Sequence, residues 1–186
     1  MRSETAQRYL TFRLAEATYG IGILKVQEII GLMPVTAVPR VPGYVRGVIN
    51  LRGRVVPVID LRARFRMTVS PDTERTCIVI TQVEGAAGAV IMGIIVEDVA
   101  EVVDIPPELI EAVPDFGAGV HTEFLLGMGR LEGTVVLLLD IDAVLGEADE
   151  GLLAELGEAA PQEAPQEAPQ AEAPATDTDT QERAAE

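Results

Sequence analysis

The pattern that most restricts this chain is its likeness to itself. Moved by 80 positions, Gly47, Leu51, Gly53, Val55, Val56 and Asp60 fall on Gly127, Leu131, Gly133, Val135, Val136 and Asp140. Moved by 73, Gly20, Ile21, Val26 and Glu28 fall on Gly93, Ile94, Val99 and Glu101, with Ile29 and Ile30 over Val102 and Val103. Both blocks keep their order in each half, so the body reads as two copies of one β unit of about 70 residues. A unit that small buries a limited share of its surface. The two copies are therefore expected to share a core and stand as one cooperative body.

Periodicity supports a β reading. Leu10, Phe12 and Leu14 alternate with more polar neighbours at the two-residue period of a half-buried strand. Further strand-like segments rich in Val and Ile are 19–26, 45–51, 55–61, 76–82, 89–96 and 134–139. Helical patterning is scarce: 24–30, a turn after Pro106-Pro107 through Ile110, 122–126, and 142–145 continuing weakly through Leu152, Leu153 and Leu156. Pro and Gly interrupt the strands too often for the long crossovers of a parallel sheet. Small barrels fit that spacing better. Pro57 then belongs at an edge or bulge, and Gly47 and Gly53 are expected to permit turns or bulges that other residues resist.

Charge divides the chain. Residues 147–186 hold 12 acids and one base, whereas residues 1–146 hold 18 acids and 13 bases. From residue 160 the sequence repeats Ala-Pro-Gln-Glu and then alternates Thr and Asp, with no apolar residue larger than Ala. Such a segment cannot offset an ordering entropy of roughly 1–2 kcal/mol per residue, so 160–186 is expected to be disordered and 147–159 a short helical or frayed stretch.

The same composition narrows the chemistry. A net charge of −16 argues against nucleic acid or an anionic membrane as the main partner. Arg52, Arg54, Arg62, Arg64 and Arg66 form a local basic cluster, but only Phe65 interleaves it and flanking acids balance it. Cys77 and His121 are the single Cys and His, too few for a Cys/His zinc site, and one Cys forbids a disulfide within the chain. Cys77, in the apolar run 76–80, reads as a buried inert thiol. Asp140 and Asp142 resemble a helix cap and an exposed charge more than a magnesium site. No metal, cofactor or catalytic constellation is expected. The longest uncharged apolar run, Gly85 to Val96, holds 12 residues and three glycines, too short for a membrane span. A cytoplasmic protein with no direct membrane insertion is expected.

The run Gly43 to Arg62, centred on Gly47-Val48-Ile49-Asn50-Leu51-Arg52-Gly53, resembles the signature of CheW-type chemotaxis coupling proteins. Tyr19 to Ile29 is similar to that family's second hallmark, and the likeness extends from Tyr9 to Gly146 through 93–96 with Asp98-Val99, 112–114 and 122–127. The resemblance implies a mainly β fold of two packed, SH3-like, five-stranded barrels with a few short helices; the acidic tail departs from a minimal family member and carries no inference from it. The same resemblance places a CheW-like domain at 9–146, its halves near 9–70 and 76–146, with exchange of strands between them allowed.

An adaptor without catalysis is what this resemblance implies. It would bridge the cytoplasmic tips of methyl-accepting chemoreceptors to the regulatory domain of the histidine kinase CheA in chemosensory arrays, with self-association in the array allowed. By motif position, Val26, Glu28, Ile29, Val99 and Val102 would face the receptor. Arg52, Arg54, Val55 and Val56 would face the kinase, and Phe116 would make an array contact. Glu28 and Arg52, two charges inside apolar motifs, are expected to form a partly buried ion pair bracing the docking surface. Two other readings stay open: an adaptor of a non-motility sensory pathway, and a ligand- or metal-responsive sensor using the cleft between the barrels.

Overall fold

The computed structural model describes residues 6–85, 88–114, 122–131, 133–144, 152, 155 and 156. The strands are β1 (Gln7–Leu14), β2 (Ala17–Gly22), β3 (Val26–Gly31), β4 (Val45–Leu51), β5 (Arg54–Asp60), β6 (Cys77–Gly85), β7 (Gly88–Val96), β8 (Asp98–Ile105), β9 (Ile110–Glu111), β10 (Leu125–Leu131) and β11 (Thr134–Leu139). Two one-turn helices, α1 (Leu61–Arg64) and α2 (Ile141–Val144), follow β5 and β11, and 3₁₀ turns occupy Ile23–Lys25 and Pro107–Leu109.

The strands form two sheets, ordered β3-β6-β7-β5-β4 and β8-β1-β2-β11-β10-β9. Most pairs are antiparallel, and in each sheet one parallel pair joins the copies of the same elements: β5 with β7, and β11 with β2. The duplication persists at the level of single pairs. Val45↔Ile59 and Gly47↔Val58, with a bulge between them, recur as Leu125↔Leu139 and Gly127↔Leu138 with the same bulge. Likewise Ile59↔Ile94 recurs as Leu139↔Ile21, and the isolated bridge Thr36↔Val48 recurs as Glu111↔Met128. The second sheet takes β1 and β2 from the start of the chain and β8 to β11 from its other end. A cut between residues 70 and 76 therefore does not separate the sheets, because β6 and β7 hydrogen-bond to β3 and β5.

Alternation along the strands sorts side chains into three interiors. Ile78, Ile80, Val56, Val58, Ile49 and Ile95 fill the first sheet. Tyr9, Ile105, Val136 and Leu138 fill the second. The opposite faces of the same strands, including Leu10, Phe12, Leu14, Ile21, Ile59, Val79, Ile94 and Leu139, meet in a larger core shared by both sheets. Strands buried on both faces lose the polar-out signature, which is why 76–82 and 89–96 read as nearly continuous apolar runs. Full burial of one such side chain contributes about 1.5–3 kcal/mol, and the shared core holds the sheets together by many of them.

Local expectations need three corrections. Residues 24–30, read as helical, are the end of a 3₁₀ turn followed by β3. Residues 122–126 are a turn leading into β10. β8 was not anticipated as a strand. The first and the third share a cause: β3 and β8 each carry an extra residue at a bulge, between Val26 and Glu28 and opposite Leu10/Phe12. That extra residue spaces Val26, Ile29 and Ile30, and Val99, Val102 and Val103, as i, i+3, i+4, which imitates a helix. Pro57 sits opposite Val48 in β4, and the ladder from β5 to β7 begins one residue later, at Val58. The proline thus escapes a bridge on that side.

Candidate docking surface

β3 and β4 are opposite edges of the first sheet, yet Glu28 on β3 reaches Arg52 at the tip of the β4–β5 hairpin. Nη1 and Nη2 of Arg52 donate to Oε1 and Oε2 of Glu28 at 2.7 and 2.9 Å, a two-pronged contact. The sheet must curl for its edges to meet this way. Hairpin geometry presents the arginine: Arg52 and Gly53 form a two-residue turn with φ of 52° and 83°, the pattern of the turn that matches strand twist. The Asn50 side chain accepts the Gly53 N–H at 2.8 Å and holds the tip. The Arg52 side chain is 73% exposed and Glu28 28%, so the carboxylate end of the pair is half-buried while the guanidinium end lies at the surface. Its geometry fixes the direction of two charges; its contribution to folding is small.

Around this pair the structure leaves apolar side chains in water. Ile29 on β3 is 43% exposed, and its duplicate Val102 on β8 is 46% exposed. Both sit on edge strands. Val26 and Val99, also duplicates, are half-buried against the shared core. Arg54 is exposed and Val55 half-buried. Val56 differs from its neighbour: at 3% exposure it packs with Ile49 and Val58 inside the first sheet, so it supports the hairpin from within. Phe116 lies outside the described residues.

Sequence reasoning missed Leu24, which is 96% exposed on the 3₁₀ turn before β3. Its neighbour Lys25 pairs with Asp142 of α2 at 2.7 Å, and Asp142 also accepts the Glu84 N–H at 2.9 Å. The turn is thereby tied to both sheets. No periodicity could single out Leu24, because it continues the uncharged stretch Ile21 to Ile23. Asp140 caps α2, accepting the N–H groups of Asp142 and Ala143.

The arginine cluster comes apart in three dimensions. Arg62 is fully buried and surrounded: its Nε and Nη2 donate to Asp60 at 3.0 and 2.8 Å, Nη2 to Asp72 at 3.2 Å, and Nη1 to the Ser70 carbonyl at 3.1 Å. Arg46 closes the network, donating to Asp60 at 3.2 Å and Asp72 at 2.7 Å. Donation to the Asp60 carboxylate raises the Arg62 pKa above its ordinary value although burial opposes it. Arg64 instead reaches across to the Val144 carbonyl at 2.8 Å and lies over the Tyr44 ring. Cys77 is half-buried, donates to the Arg75 carbonyl at 3.1 Å, and is raised in pKa by burial and then by Asp98.

The network carries a pH dependence. Burial would raise the Asp72 carboxyl, but hydrogen bonds from Arg46 and Arg62 outweigh it and leave the pKa below 3.8. A carboxyl depressed in the folded state stabilises fully above its unfolded value and loses that contribution as pH falls through the folded one. Melting temperature is therefore expected to drop as pH is lowered below about 3.8, and Asp72→Asn should flatten that drop while lowering stability at pH 7. Thermal melts of both proteins across pH 2–7, an interval bracketing the carboxylate range, check this.

Among the described residues no helix is long and apolar enough to cross a membrane. Residues 8–149 match the CheW-like domain. The chemotaxis protein CheW of Klebsiella aerogenes is 37% identical over 147 residues, covering 79% of this chain and 86% of that protein. CheW of Bacillus subtilis is 31% identical over 145 residues, covering 76% of this chain and 88% of the relative. Among solved structures, the scaffolding protein TtCheW of Thermoanaerobacter tengcongensis superposes with a TM-score of 0.68 at 28% identity, covering 78% of this chain and 91% of that one. Duplicated β units, bulged edge strands and the hairpin with its Glu28–Arg52 pair thus have a family context: the chain belongs to the CheW-like family.

Proposed function

We propose that this protein is a chemotaxis adaptor that couples the cytoplasmic tips of chemoreceptors to the histidine kinase CheA by protein–protein binding, without covalent chemistry. The observation that carries this reading is the pairing of exposed apolar side chains on bulged edge strands, Ile29 and Val102, with a charge pair whose direction is fixed. An amphipathic receptor helix needs such a surface: apolar anchors for its buried stripe and a few charges to set register. Glu28, Ile29, Val102 and the half-buried Val26 and Val99 take the receptor in this reading. Arg52, Arg54 and Val55 on the neighbouring hairpin face the kinase, and the fully exposed Leu24 joins the receptor side.

A three-component kinase assay tests it. Receptor fragments and CheA are combined with and without this protein, and receptor control of autophosphorylation is expected only on its addition. Unchanged kinase output would overturn the reading. Within that assay, Glu28→Ala and Arg52→Ala are each expected to weaken partner binding by about tenfold, since each frees the other charge to swing away from its docking direction. Neither should move the melting temperature appreciably, because the arginine end of the pair is open to solvent. A titration and a melt on each variant separate the two effects, and a large loss of stability would return the pair to a structural role.

A further inference from the structure

The outer strand β8 is held to the second sheet by one neighbour only, β1. Their ladder pairs Leu10 with Val102 and Phe12 with Val99, so Thr11 alone stands opposite two residues, Ala100 and Glu101. A bulge of this kind decides which side chains share a face. Val99 and Val102 lie three apart and in a regular strand would point to opposite sides. Here both follow their partners Phe12 and Leu10 to the side of the shared core, while Val103 turns with Tyr9 to the interior of the second sheet.

We propose that Thr11 is a positioning residue that locks this bulge and thereby aims Val102 outward on the same side as Val99. The proposal rests on the reading of Val99 and Val102 as receptor-facing and adds the residue that sets their directions.

The lock is a two-way contact. The Thr11 hydroxyl donates to the Glu101 carbonyl at 2.7 Å and accepts the Glu101 N–H at 3.2 Å. One side chain thus holds both backbone groups of a bulge residue, and at 3% exposure that side chain is shielded from competing water. Val102 is 46% exposed, so little packing constrains it and its direction follows the backbone beneath it.

The duplicate copy shows what the hydroxyl replaces. In the first sheet Ile80 holds the place of Thr11, since Ile80 pairs with Gly93 as Thr11 pairs with Gly20. Ile80 has no hydroxyl and pairs with Glu28 in the ladder itself. Among the described residues of the second sheet the ladder skips the matching pair, Thr11 with Glu101, and the two hydroxyl bonds stand in its place. Without them the extra residue is free to shift along β8, and a shift of one position changes the face on which a side chain falls.

Thr11→Val keeps the shape of the side chain and removes the hydroxyl, whereas Thr11→Ser keeps the hydroxyl. Each full-length variant is titrated with a receptor-tip fragment and, separately, with the regulatory domain of CheA, and amide hydrogen exchange is read at Glu101. Thr11→Val is expected to weaken binding of the receptor fragment about tenfold and to leave the kinase domain within about twofold of the parent. Exchange at Glu101 should quicken about tenfold, with amides of β6 and β7 unchanged. Thr11→Ser should stay close to the parent in all three. A threonine serving stability alone would lower both affinities together or neither, and that result overturns the proposal, as does parental exchange at Glu101 in Thr11→Val. Thr11→Ala gives the same comparison if the second methyl of valine does not fit the bulge. Val102→Asp separates the two readings. If it binds the receptor fragment like the parent, the receptor assignment falls and the positioning role with it; if it binds weakly while Thr11→Val binds normally, only the positioning role falls.

Discussion

Replacing Arg62 with methionine is expected to destabilise the fold by about 3–5 kcal/mol, the range for removing one member of a buried ion pair. Methionine supplies comparable length and no charge, so the loss is electrostatic more than steric. Asp60, only 1% exposed, would keep the Arg62 backbone N–H at 3.0 Å and Arg46 at 3.2 Å as donors, and would lose its two strongest charged hydrogen bonds. The Ser70 carbonyl and one oxygen of Asp72 would lose their donor together. That second loss frees the connection from α1 to β6, so the damage spreads beyond one pair. For a body near 140 residues the shift in melting temperature is on the order of 10 °C. Coupling within the network gives a sharper check. Asp60→Asn combined with Arg62→Met should cost clearly less than the two single changes added together, because the second substitution removes a charge the first had already stranded. Strict additivity would mean that the buried charges do not sense one another.

How much of this was legible beforehand follows from parity. The duplication could be read because glycines and paired valines mark the hairpins β4–β5 and β10–β11, where backbone geometry restricts the residue type. Pairing of β2 with β11 across the whole chain could not, since likeness between copies says nothing of which copy a strand completes. Bulges hid β3 and β8 by imposing helical spacing on their apolar residues. Val55 and Val56 look alike in sequence, yet odd and even positions of β5 face different surroundings, and Val56 falls on the interior. Arg62 and Arg52 look alike too. One follows Asp60 into a capped helix turn where Asp72 and Ser70 close over it; the other occupies a hairpin tip. Only the long-range contacts distinguish them, and those link residues far apart in the chain. The Glu28–Arg52 contact was readable as a pair of charges in apolar motifs, but its exposure depended on how far the sheet curls.

Gly47→Ala is expected to be the second severe substitution, costing roughly 3 kcal/mol, from strain added to overpacking. Gly47 has φ of 138°, where side-chain-bearing residues are strained, and a Cβ there would overlap the Thr36 carbonyl oxygen. That carbonyl is backbone and is fixed from the other side, because Thr36 and Val48 exchange hydrogen bonds at 2.8 and 2.9 Å. Relief therefore requires breaking the bridge that closes the first sheet over its own bulge. Gly53→Ala is the control. Gly53 also has positive φ, 83°, but nothing lies within 4 Å of its would-be Cβ. It should lose only the conformational term, about 1 kcal/mol, and Gly53→Asn should lose less still, since asparagine tolerates this turn position. Melting temperatures of the three variants rank the two causes: a Gly47→Ala protein no less stable than Gly53→Ala would show that the Thr36 segment yields, and that the close crossing does not hold the bulge in place. The duplicate position extends the argument. Gly127 has the Ile110 side chain and the Glu111 carbonyl at 2.8 and 2.9 Å from its would-be Cβ, so in both sheets a glycine lets a short passing segment lie directly on the bulged strand. Gly127→Ala should then fall between the two, since its nearest obstacle is a side-chain methyl that can rotate away while the carbonyl beside it cannot.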